Sequence, residues 1–264
     1  MKQSFSPDSA SCMDALQLAG RIILENGGET YRAEETICRM GQGFGLEEVE
    51  SFAVPSGLFI SYRGAGGKPV TSVKRVRRLD RNLTRVNETN QISRRVYAGE
   101  MDCEEALEKL RAIEKDPGSF RGLWGLPAAF LCAAGFAALF GAGWLSIAAA
   151  GIVAVVVQGM EMLLARIRGG TALAASILGG LATALLPALL VLLLPSLQTE
   201  LVIAGAIMPL VPGLAMTNAV QDTMRGDMVS GLSHGAQAIL TACLIAGGAL
   251  LAQAALRLLT GGGI

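Results

Sequence analysis

Two prolines three residues apart, followed at once by glycine, interrupt an apolar stretch at Met208-Pro209-Leu210-Val211-Pro212-Gly213. Each proline removes a backbone hydrogen bond and clashes with the preceding helical turn. Lipid cannot replace that bond, so broken backbone at membrane depth survives only inside protein or beside water. Helix ends and freed carbonyls at such breaks form substrate sites in transporters. A simple kink needs less than a Pro-x-x-Pro-Gly cluster. Met208, Pro209, Pro212 and Gly213 are therefore candidate substrate-binding residues. Asn218 and Asp222 follow four apart on one helical face and join that set. A carboxylate in or beside a membrane is costly unless paired or hydrated. Asp222 has two readings: a group that orients or couples substrate, or a helix-end residue solvated at the surface.

Other polar groups stand in the same apolar half. Gln158 and Glu161 are three apart and share a face. They are candidate coupling residues; alternatively Glu161 forms an interfacial ion pair with Arg166 or Arg168. His234, the only histidine, reads as a polar end residue or as a proton relay. Nearer the amino terminus, Gly27-Gly28-Glu29-Thr30-Tyr31-Arg32-Ala33-Glu34-Glu35 is a dense polar motif. Arg32 can pair with Glu29 or Glu35, and Arg39 with Glu35, at helical spacing. Composition alone reads this as a helix start with surface ion pairs. The basic run Lys74, Arg75, Arg77, Arg78, Arg81 and Arg85 has no interleaved stacking aromatics, which argues against nucleic acid and for anionic lipid or solvent. Gly41-x-Gly43-x-Gly45 follows a helix, so it is not a dinucleotide fingerprint. No Walker motif or HExxH occurs, and no cofactor or metal site is expected.

The charge distribution says where these groups sit. The chain has 264 residues with 22 basic and 22 acidic side chains. Only Arg166, Arg168, Arg225, Arg257, Glu161, Glu200, Asp222 and Asp227 fall after residue 121. Soluble domains average about a quarter charged residues. The second half is far below that, which excludes a purely soluble protein. Residues 1–120 are expected to form an α+β domain and residues 121–264 an all-α bundle of five transmembrane helices.

Within the first domain, helical spacing covers residues 9–26, and Gly27-Gly28 stops that helix. A second helix is expected from about Glu29 to Met40, with acidic residues in its first turn. Strands are expected at 49–54, 57–63 and 69–76, giving a small antiparallel meander. Helices at 82–98 and 102–115 follow, the latter capped by Asp102. Pro117-Gly118 marks the boundary. The five cysteines Cys12, Cys38, Cys103, Cys132 and Cys243 are odd in number and without a CxxC, so they read as free, buried thiols in a reducing compartment.

A span needs about 20 helical residues. Apolar segments fall at about 123–142, 145–165, 172–195, 201–221 and 233–256. Lys109, Arg111, Lys115, Arg121, Arg166, Arg168 and Arg225 all lie on one side, and Arg257 near the other. The amino-terminal domain is therefore expected in the cytoplasm and the carboxyl terminus outside. Residues 1–20 lack the pattern of a cleaved signal peptide. Small residues such as Ala133, Ala137, Gly179, Gly180, Gly247 and Gly248 predict close helix packing.

The motif at 27–35, with Gly28, Glu29, Tyr31, Arg32 and Glu35, the stretch Pro55-Ser56-Gly57-Leu58-Phe59-Ile60-Ser61, and Met208 to Gly213 with Asn218 and Asp222 together resemble the threonine/serine exporter family over almost the whole chain. The resemblance implies a cytoplasmic α+β domain and helices in a bacterial inner membrane. Fused members carry a second five-helix region, so this chain resembles the larger subunit of a split form that works with a separate small membrane protein. One split pair is associated with succinate export, which leaves hydroxy amino acids and dicarboxylates both open as substrates. Partners are thus the small-molecule substrate, the lipid bilayer and a second five-helix subunit. Two other readings are open to the sequence. A membrane-tethered hydrolase needs a nucleophile–base pair, yet no histidine precedes residue 121. A non-transporting assembly protein has no need of the proline break.

Overall fold

The computed structural model describes residues 9–64, 67–77, 80–116, 124–166 and 172–259. In order these form α1 (Ser9–Glu25), α2 (Thr30–Gly43), β1 (Glu47–Val54), β2 (Gly57–Arg63), β3 (Pro69–Arg75), α3 (Leu83–Tyr97) and α4 (Cys103–Lys115). The apolar half follows as α5 (Gly125–Leu139), α6 (Trp144–Arg166), α7 (Ala172–Leu193), α8 (Thr199–Ile207), a 3-10 turn (Met208–Leu210), α9 (Gly213–Met224) and α10 (Met228–Leu259). The expected boundary at Pro117-Gly118 and the connection through Arg168 lie outside the described residues. The chain divides into two compact units: Met1–Gly118 with Leu214–Ala236, and Ser119–Gly213 with Gln237–Ile264.

In the first unit, period-3.6 apolar faces converge on one core. Leu16, Ile23, Ile37, Met40, Val96 and Leu110 are fully buried there. The three strands form an antiparallel sheet in the order β1-β2-β3, joined first by the two-residue turn at Pro55-Ser56. Alternation sends Ala53, Leu58, Ile60 and Tyr62 into that core. On the other face Phe52, Phe59 and Val73 stand opposite one another across the three strands and are exposed. Asp102 caps α4 by accepting the Glu105 amide, at 2.8 Å. Glu29 occupies the N-cap position of α2 instead of its first turn, which holds no acidic residue. The dipole-favoured carboxylates expected inside that turn are therefore absent.

The cysteine expectation needs correction. Cys12 on α1 and Cys103 at the start of α4 are joined by a disulfide, with a Cα–Cα separation of 5.0 Å. Among the described residues, Cys38, Cys132 and Cys243 are free. The pair is 91 residues apart in sequence, and only the side-by-side packing of α1 on α4 brings the two sulfurs together.

In the second unit, small residues set the helix spacing. A Cβ on Gly180 of α7 would lie 2.0 Å from the Ile245 carbonyl oxygen, and one on Gly248 of α10 would lie 2.1 Å from that of Ile177. Neither site admits any side chain, so two backbones touch there. Gly205 of α8 meets Ala133 and Ala137 of α5 in the same way. The connection between α5 and α6 is tied to that between α7 and α8. Gln198 Oε1 accepts the Gly143 amide at 2.7 Å, and Ser146 Oγ accepts the Gln198 amide at 3.0 Å. These are the two connections that the charge pattern assigns to one side.

Three helices, α6, α7 and α10, are long and apolar enough to cross a membrane. A fourth span arises if α8, its 3-10 turn and α9 count as one broken segment. The 15 residues of α5 extend about 22 Å at ~1.5 Å per residue, short of a ~30 Å hydrocarbon core. The expected fourth segment is thus interrupted as its prolines demand: Val211 is extended (φ −59°, ψ 131°) between the 3-10 turn and α9.

Closing a 91-residue separation gives the disulfide a large effect on the unfolded chain. Reduction, or Cys12→Ala, is expected to cost the first unit about 2–4 kcal/mol. Hydrogen exchange in α1 and α4 should accelerate accordingly. Unchanged protection after reduction would show that the bond adds nothing to this unit.

Candidate functional site

The site is built at the amino end of α2. Gly27 turns the chain out of α1 at φ +86°, a conformation that disfavours side chains. The Gly28 amide returns to the Ile23 carbonyl oxygen at 2.9 Å and closes the turn. Buried Asn26 braces it by donating to the Ile22 carbonyl oxygen at 2.7 Å. Glu29 then presents its carboxylate to the Arg32 guanidinium, with 2.8 Å between Oε2 and Nε.

Residues 214–236 of the same unit complete the site. Gly226 (φ +90°) turns the chain from α9 into α10, and Asp227 caps α10 by accepting the Ser230 amide at 3.1 Å. Gly231 lets the two helices approach: a Cβ there would lie 2.1 Å from Thr223 Oγ1. Asn218 and Asp222, one turn apart on α9, are both buried. Asn218 Nδ2 donates to the Gly27 carbonyl oxygen at 3.2 Å. Thr30 Oγ1 donates to Asp222 Oδ1 at 2.9 Å and lies 3.3 Å from Asp227 Oδ2. His234 Nε2 lies 3.7 Å from Asp222 Oδ2. The Arg225 guanidinium stacks over the Tyr31 ring at 3.5 Å, a cation–π contact.

Two motifs separated by some 190 positions thus meet in one place. Of the residues singled out from sequence, Gly28, Glu29, Tyr31, Arg32, Asn218 and Asp222 gather here. Asp222 is fully buried, so the surface-solvated reading does not hold. Glu35 points away and pairs with Arg39 on the exposed side of α2. Met208, Pro209, Pro212 and Gly213 belong to the second unit and form the break described above. Gln158 and Glu161 are half-buried on α6. The side chains of Arg166 and Arg168 lie outside the described residues, so the ion pair expected of Glu161 does too.

A cavity of about 230 Å³ opens beside this junction. Its polar wall is Glu29, Arg32, Asn87, Asn90, Thr217 and Asn218, and Leu83, Val86 and Leu214 supply an apolar side. Asp222 does not line it. The wall therefore carries one charge of each sign, three amides and a hydroxyl. Sequence reasoning missed Thr30 and Asp227 and set His234 aside. Asp227 and His234 are seven apart, two helical turns, which places both on the face of α10 that meets α9.

Glu34, one turn along α2 from Thr30, accepts the Ala53 amide at 2.7 Å. Burial pushes its carboxyl above the usual range, the Ala53 hydrogen bond opposes this, and the charges of Asp227 and Asp222 add to it.

Against known families, residues 14–256 match the family described as "Putative threonine/serine exporter". The chain is also 25% identical over 228 residues to a "Probable threonine/serine exporter" of Mycobacterium tuberculosis, across 86% of this chain and 43% of that protein. No solved structure matches. With several apolar helices long enough to span, this is a multi-pass membrane protein. The chain belongs to the threonine/serine exporter family. It spans less than half the length of the curated relative it matches. The family is one of transporters, not of enzymes.

A carboxyl whose folded pKa is raised loses stabilisation as pH rises from its unfolded value through its folded one. Glu34→Gln retains an acceptor for the Ala53 amide and removes the ionisation. It should match the wild type below the ordinary glutamate range and unfold at higher temperature above it. Thermal melts across pH check this, and parallel curves would contradict the assignment.

Proposed function

We propose that this chain is a subunit of an inner-membrane exporter for small carboxylate-bearing metabolites. Threonine- or serine-like amino acids are the leading substrates and succinate-like dicarboxylates the alternative. The observation that carries the reading is the joining of the 27–35 motif to α9 beside a cavity that holds both Glu29 and Arg32. A zwitterion can set its carboxylate against Arg32 and its ammonium group against Glu29. A dicarboxylate meets one cation and one repelling carboxylate. The amides of Asn87, Asn90 and Asn218 and the Thr217 hydroxyl then supply fixed polar partners for a small polar side chain.

In this reading the amino-terminal domain, 1–120, stands in the cytoplasm, residues 121–264 form the membrane domain, and the carboxyl terminus is external. Seven basic residues against one support that orientation. A second five-helix membrane subunit completes the path. The break at Met208, Pro209, Pro212 and Gly213 offers helix ends to passing substrate. Asn218 binds substrate on the cavity wall of the first unit, Asp222 behind it orients that wall, and Gln158 and Glu161 on α6 couple transport to an ion gradient.

Cells preloaded with threonine, serine or succinate and expressing the chain, alone and with a candidate second subunit, give the direct test. Efflux of one solute is expected when both chains are present. Asn218→Ala should insert normally and lower efflux by roughly five- to a hundredfold, the effect of losing ~1–3 kcal/mol of buried polar interaction. Pro212→Ala, which restores a backbone amide and lets the helix run on, should also insert and lower efflux. Absence of efflux in every combination, with insertion confirmed, would reject the exporter reading.

A further inference from the structure

The carboxylates of Asp222 and Asp227 both address the single hydroxyl proton of Thr30, at 2.9 Å and 3.3 Å. One proton cannot serve both at full strength. Asp227 has a second donor, the Ser230 amide on its Oδ1. Asp222 Oδ2 has none: among the described residues it receives no hydrogen bond, although the residue is fully buried. Facing that oxygen at 3.7 Å is His234 Nε2, itself more than nine-tenths buried and without a hydrogen bond. Two unsatisfied buried polar atoms therefore point at one another across a gap slightly too long for a hydrogen bond.

The surrounding charges do not resolve this. Asp222 feels Asp227 and Glu29, and against them, among the described residues, His234. Glu34 on α2 feels both Asp222 and Asp227. His234 feels the same two aspartates. Of the nearby cations, Arg32 is engaged by Glu29 and Arg225 is stacked on Tyr31. The group has an excess of negative charge and room for no ligand, because Asp222 stands off the wall of the adjacent cavity. A proton is the one cation that needs no cavity.

We infer that Asp222 and His234 form a proton-binding site, with one exchangeable proton held between Asp222 Oδ2 and His234 Nε2. Thr30 and Asp227 act as positioning residues. Its role in coupling rests on the exporter reading; the site itself does not. With the proton in place, Asp222 and His234 satisfy each other and the Thr30 hydroxyl is free to turn toward Asp227. Without it, Asp222 takes the Thr30 hydroxyl. The proton thereby changes how α2 is held to the α9–α10 turn, one helical turn from Asn218 on the cavity wall. Such a link lets a proton taken up on one side bias substrate binding.

Infrared difference spectroscopy on the purified full chain across pH reads the site without transport. A carboxylic C=O band that grows as pH falls is expected in the wild type, absent in Asp222→Asn and displaced in His234→Gln. Thr30→Ser should preserve it and Thr30→Val should move it. A band unchanged in both Asp222→Asn and His234→Gln would overturn the proposal. In proteoliposomes, with the second subunit where cells require it, the pH profile of threonine flux should flatten in His234→Gln. Flux driven by a pH gradient should fall by about tenfold, within the range of coupling between linked sites. A His234→Gln profile that follows the wild type would also overturn it. Wild-type vesicles that move neither threonine, serine nor succinate would instead reject the exporter reading, while the infrared titration still decides the proton site.

Discussion

The hydrogen bond from Thr30 to Asp222 is the constraint on which the first unit's site depends. A fully buried carboxylate is tolerated only with partners that repay its lost hydration. Here the partner is a hydroxyl at the first residue of α2, delivered from 192 positions away. That bond fixes the amino end of α2 against α9, and the Asn218 bond to the Gly27 carbonyl oxygen fixes it a second time one turn away. Glu29 and Arg32 are thereby held on the cavity wall. Loosening Thr30 would affect this wall without touching any residue that lines it.

Glycine does comparable structural work at both ends of this arrangement, for different reasons. Gly27 and Gly226 supply left-handed turns that bring the two polar motifs into register. Gly231 supplies space, since any side chain there would strike Thr223 and hold α10 off α9. In the second unit, Gly180 and Gly248 are pure contact glycines, each beneath the other helix's carbonyl oxygen. Lipid gives helices no hydrophobic reason to associate, so backbone approach of this kind carries the packing.

The proline break has a local cause and a larger consequence. Pro209 and Pro212 cannot complete α8, so its last carbonyls and the first amides of α9 lie outside any continuous helix. The helix that restarts at Gly213 is short and carries its polar residues, Asn218 and Asp222, on a buried face. A continuous apolar span would have no such independent segment. The break therefore does more than expose backbone: the helix after it belongs to a different compact unit from α8.

Much of this was legible in the residues alone. Apolar periodicity placed α1 to α4 and the three strands within three residues at every end, because each buries one face and the period of that face is local information. Depletion of charge marked the apolar half, and Pro-x-x-Pro-Gly marked the break, because both are properties of adjacent residues. What the sequence did not contain was partnership across distance. Thr30 looked like one residue of a surface helix start, Cys12 and Cys103 like spare thiols, and His234 like a polar end. Asp222 hung between solvent and function. Each depends on which helices lie side by side, and no local pattern encodes that. Packing decided it: α1 on α4 made the disulfide, and α2 beside the α9–α10 turn turned two separate motifs into one buried, charge-rich site.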